Sequence, residues 1–336
     1  MQGVIEAWKK HEGVTEREIE ELFLLSDIPS ETSWLTGKRI DVLTELYPPF
    51  PEAVLEETEE YVVRRNGLGG IDKLMKEHAY LPIPIEHPLK DRKDWQALKA
   101  RLNWDVVRLS GGWREKAERD IRGGWPLTLF VSGFFGFPRK LLGDEALCVL
   151  YYDDPALLHD IGNTYCRLLA KVRNTIRDSG LSIDKVIFWE DLAGNGGPII
   201  SPILFREFIQ RYYRQIIPEF TQIGAYHFEG DTDGNFDVLI PDFLDSGVTC
   251  LFPFEVNAGM DIVSTRQKYP SLVIHGGIDK RILNQDKAAI DSELKRKLPL
   301  MVKTGGYLCT VDHRIMLGSS YANVRYFMKT LKDFFS

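Results

Sequence analysis

The stretch Ala225–Asp233, A-Y-H-F-E-G-D-T-D, starts like a strand and ends in acids. Residues two apart on a strand face the same way, so His227 and Glu229 project together from an expected strand Ala225–Glu229. Gly230 then breaks the strand, and Asp231 and Asp233 follow. An imidazole beside a carboxylate at a strand end is half of a metal site or an acid–base pair. Taken alone, it is equally a loop-edge histidine among solvated acids. The flanking sequence decides.

From Gly124 onward, apolar strand-like runs alternate with longer helical segments. Strands are expected at Pro126–Ser132 (PLTLFVS), Val186–Glu190 (VIFWE), Val248–Phe254 (VTCLFPF), Leu272–His275 and Gly306–Val311. Helices are expected at Asp144–Tyr152, Pro155–Arg177, Pro202–Phe220, Phe236–Ser246, Ile262–Tyr269, Lys287–Thr304 and Tyr321–Phe335. Repeated strand–helix alternation predicts an α/β fold with a parallel sheet, and at this length the closed solution is a (β/α)8 TIM barrel. The strands end in polar residues that packing does not need: Trp189-Glu190-Asp191, His227-x-Glu229-Gly-Asp231, Glu255, Gly276-Gly-Ile-Asp279-Lys280 and Asp312-His313. In such a barrel all strand C-termini meet on one face, where active sites form. Five polar ends carrying acids and histidines therefore predict an active site.

Residues 1–103 read as a helical and extended segment packed on the barrel, and residues 104–336 as the catalytic barrel region of one domain. Thr15 and Glu18 have capping-box spacing before an Ile19–Leu25 run. Pro51–Gly67, acidic at its start and basic at its end, reads as a helix; Tyr47–Pro51 reads as an extended corner. Tyr80–Leu89 alternates apolar residues with prolines, as an edge strand or extended arm does. Asp91–Leu102 and Asp105–Arg119 read as short amphipathic helices. No first barrel strand stands out before Trp8. This segment is expected to cover the mouth or mediate homodimer contacts.

A formal charge of −7 excludes a nucleic-acid or anionic-membrane surface. The four cysteines, Cys148, Cys166, Cys250 and Cys309, form no C-x-x-C pair, which excludes a disulfide framework or zinc ribbon. No apolar run is long enough to span a bilayer, and the expected location is cytoplasmic. Phosphate-loop, dinucleotide and nucleophile-elbow motifs are missing.

Trp189–Pro202 (WEDLAGNGGPIISP) and the helix after it resemble the uroporphyrinogen decarboxylase superfamily. The resemblance reaches back to Ser132–Pro138 (SGFFGFP). Forward, it passes through His227–Gly230, Gly276–Asp279, Gly305-Gly306-Tyr307…Asp312-His313 and Tyr321–Val324. It covers residues 125–336, with a weaker echo over Tyr47–Arg101, and implies a (β/α)8 barrel. The arginine-rich N-terminal segment by which true decarboxylases hold a tetrapyrrole has no counterpart here, so the resemblance points to the corrinoid-linked methyltransferase branch. In that branch zinc is held by an H-x-C pair and a distant cysteine. The pair falls on His227-Phe228-Glu229, with glutamate replacing cysteine. The distant position falls near His313, with Cys309 as the second choice.

A His₂Glu set suits catalytic zinc with an open position and, less closely, iron. The function this implies is demethylation of a small O- or N-methylated compound, with transfer to a separate corrinoid protein. This chain has no D-x-H-x-x-G cobalamin motif, so a partner must supply the corrinoid. A decarboxylase or lyase acting on a small carboxylate, and a non-catalytic binding barrel, are the alternatives. Glu190 and Asp191 either act on substrate or cap the next helix. Glu255 serves as ligand, base or turn cap. Asp279 is catalytic or, with Lys280, a surface pair. Asp231 contacts substrate or orients His227. Trp189, Phe134 and Phe137 line the pocket or pack in the core.

Overall fold

The computed structural model describes residues 2–25, 37–76, 82–102 and 108–335. In chain order the strands are β1 (Lys38–Arg39), β2 (Ala53–Glu57), β3 (Tyr61–Arg65), β4 (Ile71–Met75), β5 (Ile83–Glu86), β6 (Leu127–Ser132) and β7 (Lys185–Trp189). A short hairpin of β8 (Ala193–Gly194) and β9 (Gly197–Pro198) follows. The last four are β10 (His227–Asp231), β11 (Cys250–Phe252), β12 (Val273–His275) and β13 (Tyr307–Leu308). A curled sheet runs β1-β6-β7-β10-β11-β12-β13, with every neighbouring pair parallel. This is a TIM-barrel-type α/β fold, with seven parallel strands among the described residues.

The sheet is buried on both faces, which is why its strands read as apolar runs. On β7, Val186 and Phe188 are fully buried against the outer helices, and Lys185, Ile187 and Trp189 alternate with them toward the interior. The longest outer helix, Pro155–Asp178, begins with proline at its first position, and Asp154 caps it by accepting the Leu157 N–H. Asp286 does the same for the helix Lys287–Thr304, through Ala289.

Pro51–Gly67 is a correction. It is not a helix but the antiparallel pair β2–β3, turned at Thr58, whose Oγ1 accepts the N–H groups of Glu60 and Tyr61. The β-formers Val54, Tyr61, Val62 and Val63 outweighed a charge pattern that mimics a helix dipole. With β4 and β5 they make a four-stranded antiparallel sheet inserted between β1 and β6. β5 lies within the expected arm Tyr80–Leu89, whose first two residues fall outside the described residues. The expected helix Asp91–Leu102 is present as Arg92–Arg101. The next helix is Trp113–Arg122, after Gly112 at a φ of 71°. Residues 105–107, where it was expected to begin, fall outside the described residues.

β1 comes from the first 103 residues yet joins the barrel sheet, pairing Lys38 with Leu127 and Arg39 with Thr128. The capping box forms: Glu18 accepts from the Thr15 N–H and hydroxyl, and Thr15 Oγ1 accepts the Glu18 N–H. Val4, Trp8, Val14, Ile19 and Leu22 pack with Ile290, Leu294, Leu298, Val324 and Phe327 in a second core on the outer helices. Among the described residues, no helix is long and apolar enough to cross a membrane.

Candidate functional site

β10 extends two residues further than expected. Gly230 does not break it: a Cβ there would meet Leu251 at 2.9 Å and Phe243 at 3.4 Å, so the small residue lets the strand pack. The consequence is positional. Asp231 is the strand's last residue, and Glu229 and His227 lie one and two steps deeper along the same inward face. Phe228, of opposite parity, is buried in the outer core.

Register across the sheet builds the deep layer. His227 pairs with Lys185, and Glu229 pairs with Ile187 on one side and Cys250 on the other. Glu229 is almost wholly buried. Its Oε2 accepts from Lys185 Nζ at 2.8 Å, lies 3.0 Å from His275 Nδ1, and accepts from Cys250 Sγ at 3.2 Å. Burial raises the carboxyl, but His275 and Lys185 outweigh it and hold Glu229 well below the usual carboxylate range. Burial, assisted by Lys185, pushes His227 down to about 4, so its imidazole is neutral at pH 7. Burial and the Glu229 charge push the Cys250 thiol well up.

Ligand atoms of His227, Glu229 and Cys250 lie within 4.8 Å of one another. A neutral imidazole, a carboxylate and a sulfur form a donor set that fits zinc, and three protein donors is the number a catalytic zinc uses. Metal binding would draw the thiol proton off Cys250.

The structure does not bring the other two expected ligands into this group. Leu308 pairs with inward-facing His275, so Cys309 turns outward into the second core, and burial pushes its thiol up to about 12. His313 stands at the rim, with Nε2 3.6 Å from Asp233 Oδ1.

The rim gathers acids. Burial pushes Asp231 up to about 8, with the charges of Glu229, Asp191 and Asp233 adding to the shift. Burial, then Asp191 and Glu255, push Asp233 up to about 6. Asp191, at a φ of 51°, accepts from Arg139 at 3.1 Å. Glu255 accepts from the Gly234 N–H at 2.9 Å and from Lys280 Nζ at 3.1 Å. Lys280 is thus half-buried in the rim rather than solvated. Asp279 caps the turn after β12 and pairs with Arg281. Asp312, fully buried, ties two rim loops by accepting the N–H groups of Val256 and Lys280.

Other expected site residues lie in the packing beneath. Glu190 is fully buried, accepting from Tyr213 and from the N–H groups of Phe134, Phe135 and Gly136. It fixes the turn after β6 and caps no helix after β7. The Phe134 ring stacks on Tyr212 at 5.0 Å and the Phe137 ring on Tyr165 at 4.2 Å, both in the buried aromatic core. Trp189 ends β7 beside Asp231, its ring 5.0 Å from Lys140 Nζ.

Sequence reading missed Cys250, Lys185 and His275. Each sits in a short strand, and only inter-strand register brings it to Glu229. A histidine ending the apolar strand at 275 was the one available signal.

The family model described as Uroporphyrinogen decarboxylase (URO-D) matches residues 74–334. Among solved structures, a methyltransferase from Methanosarcina mazei is similar in fold, at 14 % identity and a TM-score of 0.55, over 94 % of this chain and 91 % of that one. A Listeria monocytogenes protein, assigned provisionally as a vitamin-B12 independent methionine synthase, aligns at 14 % identity with a TM-score of 0.35, over 63 % and 64 %. No curated protein matches. The family match spans most of the chain and agrees with the barrel: the chain belongs to the uroporphyrinogen decarboxylase (URO-D) family.

Proposed function

We propose that this chain is a zinc-dependent methyltransferase that demethylates a small O- or N-methylated compound and passes the methyl group to a corrinoid protein. The observation that carries this reading is the grouping of His227, Glu229 and Cys250 inside the barrel. Family membership and the fold likeness to a methyltransferase support it.

Zinc bound by these three residues would supply Lewis acidity at the oxygen or nitrogen that loses its methyl group. Asp231, two residues along the same face, is pushed by burial to about 8 and would serve as the proton donor to that departing atom. Asp191, Asp233, Glu255 and His313 would orient the substrate, and Trp189 would wall its apolar part. His275 would hold Glu229 in its ligating orientation. Elemental analysis tests the site: about one zinc per chain is expected, lost in His227→Ala and Glu229→Ala. Methylation of cob(I)alamin from methoxylated aromatics or methylamines tests the reaction. Absence of both would overturn the reading.

One observation favours a second reading. Asp231, pushed up to about 8, and Asp233, pushed up to about 6, are neighbouring rim carboxyls of unequal proton affinity, the arrangement of an acid–base pair. A decarboxylase or lyase using them would release CO₂ from a small carboxylate without zinc or corrinoid.

A further inference from the structure

Lys185 opens β7 and faces the interior, where its side chain is 6 % exposed and that of Glu229 2 %. Burying an ammonium is costly unless it is paired, and Glu229 Oε2 at 2.8 Å provides the pairing. The same oxygen also takes His275 and Cys250. A divalent ion bound by Glu229, His227 and Cys250 would therefore sit beside a positive charge in a weakly screening interior, and the two repel strongly. His275 stays compatible with a bound ion, because an imidazole on a ligating carboxylate is the usual supporting contact.

We infer that Lys185 is a resident cation of this site: it neutralises Glu229 in the metal-free protein and leaves that carboxylate when a divalent ion binds. The inference rests on the metal site proposed above and adds a mode of control to it. Zinc binding becomes an exchange of one cation for another, and zinc affinity is lower than the three ligands alone would give. The flexible four-carbon stem of lysine makes the exchange feasible without moving the strand. In the metal-free fold the ammonium also offsets the charge of the buried carboxylate.

Lys185→Met keeps a four-atom apolar stem and removes the ammonium. By chelator competition, the variant is expected to bind zinc roughly tenfold tighter or more, the effect of relieving about 1.4 kcal/mol of repulsion. Its thermal midpoint is expected to rise further on adding zinc than that of the wild type, because Glu229 then lacks its resident partner until the metal arrives. Zinc affinity equal to or weaker than wild type would overturn the inference while leaving the metal site standing. Zinc binding by neither protein would overturn both. A crystal structure of zinc-loaded wild-type protein gives a readout that needs no variant. Lys185 Nζ is expected to have left Glu229 Oε2, and an ammonium still in contact there would overturn the exchange.

Discussion

His313 Nε2 stands 3.6 Å from Asp233 Oδ1, on a backbone held at a φ of 134° that side chains other than glycine rarely adopt. The strain sits at the rim, where sequence reading placed a metal ligand, and the structure instead sets the imidazole among carboxylates. His313→Gly relieves the strain and is expected to stabilise the fold by about 1 kcal/mol. Turnover is expected to fall while zinc content is unchanged. Urea unfolding, a cob(I)alamin methylation assay and elemental analysis of the one variant check this. A loss of zinc would place His313 among the ligands.

Two cysteines separate the alternatives for the third ligand. Cys250 lies in the deep group with His227 and Glu229, and Cys309 faces the outer helices. Cys250→Ser is expected to weaken zinc binding by more than the ~10–100-fold that losing a contact supporting a ligand costs, whereas Cys309→Ser leaves it unchanged and costs only packing. Equilibrium zinc titration of both variants decides it. The reverse ranking would move the site to the end of β13.

These two cases show where the sequence is legible. Buried parallel strands are apolar on both faces, so Pro126–Ser132 and Val186–Glu190 announce β6 and β7 within a residue or two. The capping box at Thr15 and the helix Lys287–Thr304 are equally local signals. His227 and Glu229 share a face by strand periodicity alone. What surrounds them is not local: Cys250, Lys185 and His275 lie on three other strands, and their convergence depends on barrel register. The same limit explains Glu190, whose partners Phe134–Gly136 and Tyr213 are distant in sequence. Pro51–Gly67 failed differently, because its charges imitate a helix while its side chains favour strands.

Trp8 anchors the N-terminal helices. It is 1 % exposed, donates Nε1–H to the Ser319 carbonyl at 2.6 Å, and packs edge-on against Tyr321. Trp8→Ala is expected to cost about 3–5 kcal/mol in that docking. Since the second core lies on the outer helices, opening is expected to be local. Hydrogen exchange should show faster exchange in residues 4–22 and in the helix Tyr321–Phe335, with β7 and β10 still protected. Uniform loss of protection would make the second core part of one cooperative unit with the barrel.

Glu190 gives the fold a pH dependence separate from the zinc site. Burial pushes its carboxyl up to about 7, against the pull of the Tyr213 hydroxyl and of the Gly136, Phe135 and Phe134 N–H groups. In the unfolded chain it ionises near 4.5. Between those values the native protein holds a proton that the unfolded chain has lost, so stability falls as pH rises from 4.5 to 7. The loss amounts to about 3 kcal/mol. Glu190→Gln cannot ionise, and its stability is expected to be flatter over that window. Its amide NH₂ also faces hydrogen-bond donors, which is expected to cost ~1–3 kcal/mol at every pH. Urea denaturation of both proteins between pH 4.5 and 7.5 measures slope and offset together. An unchanged slope in the variant would show that the proton resides on another group.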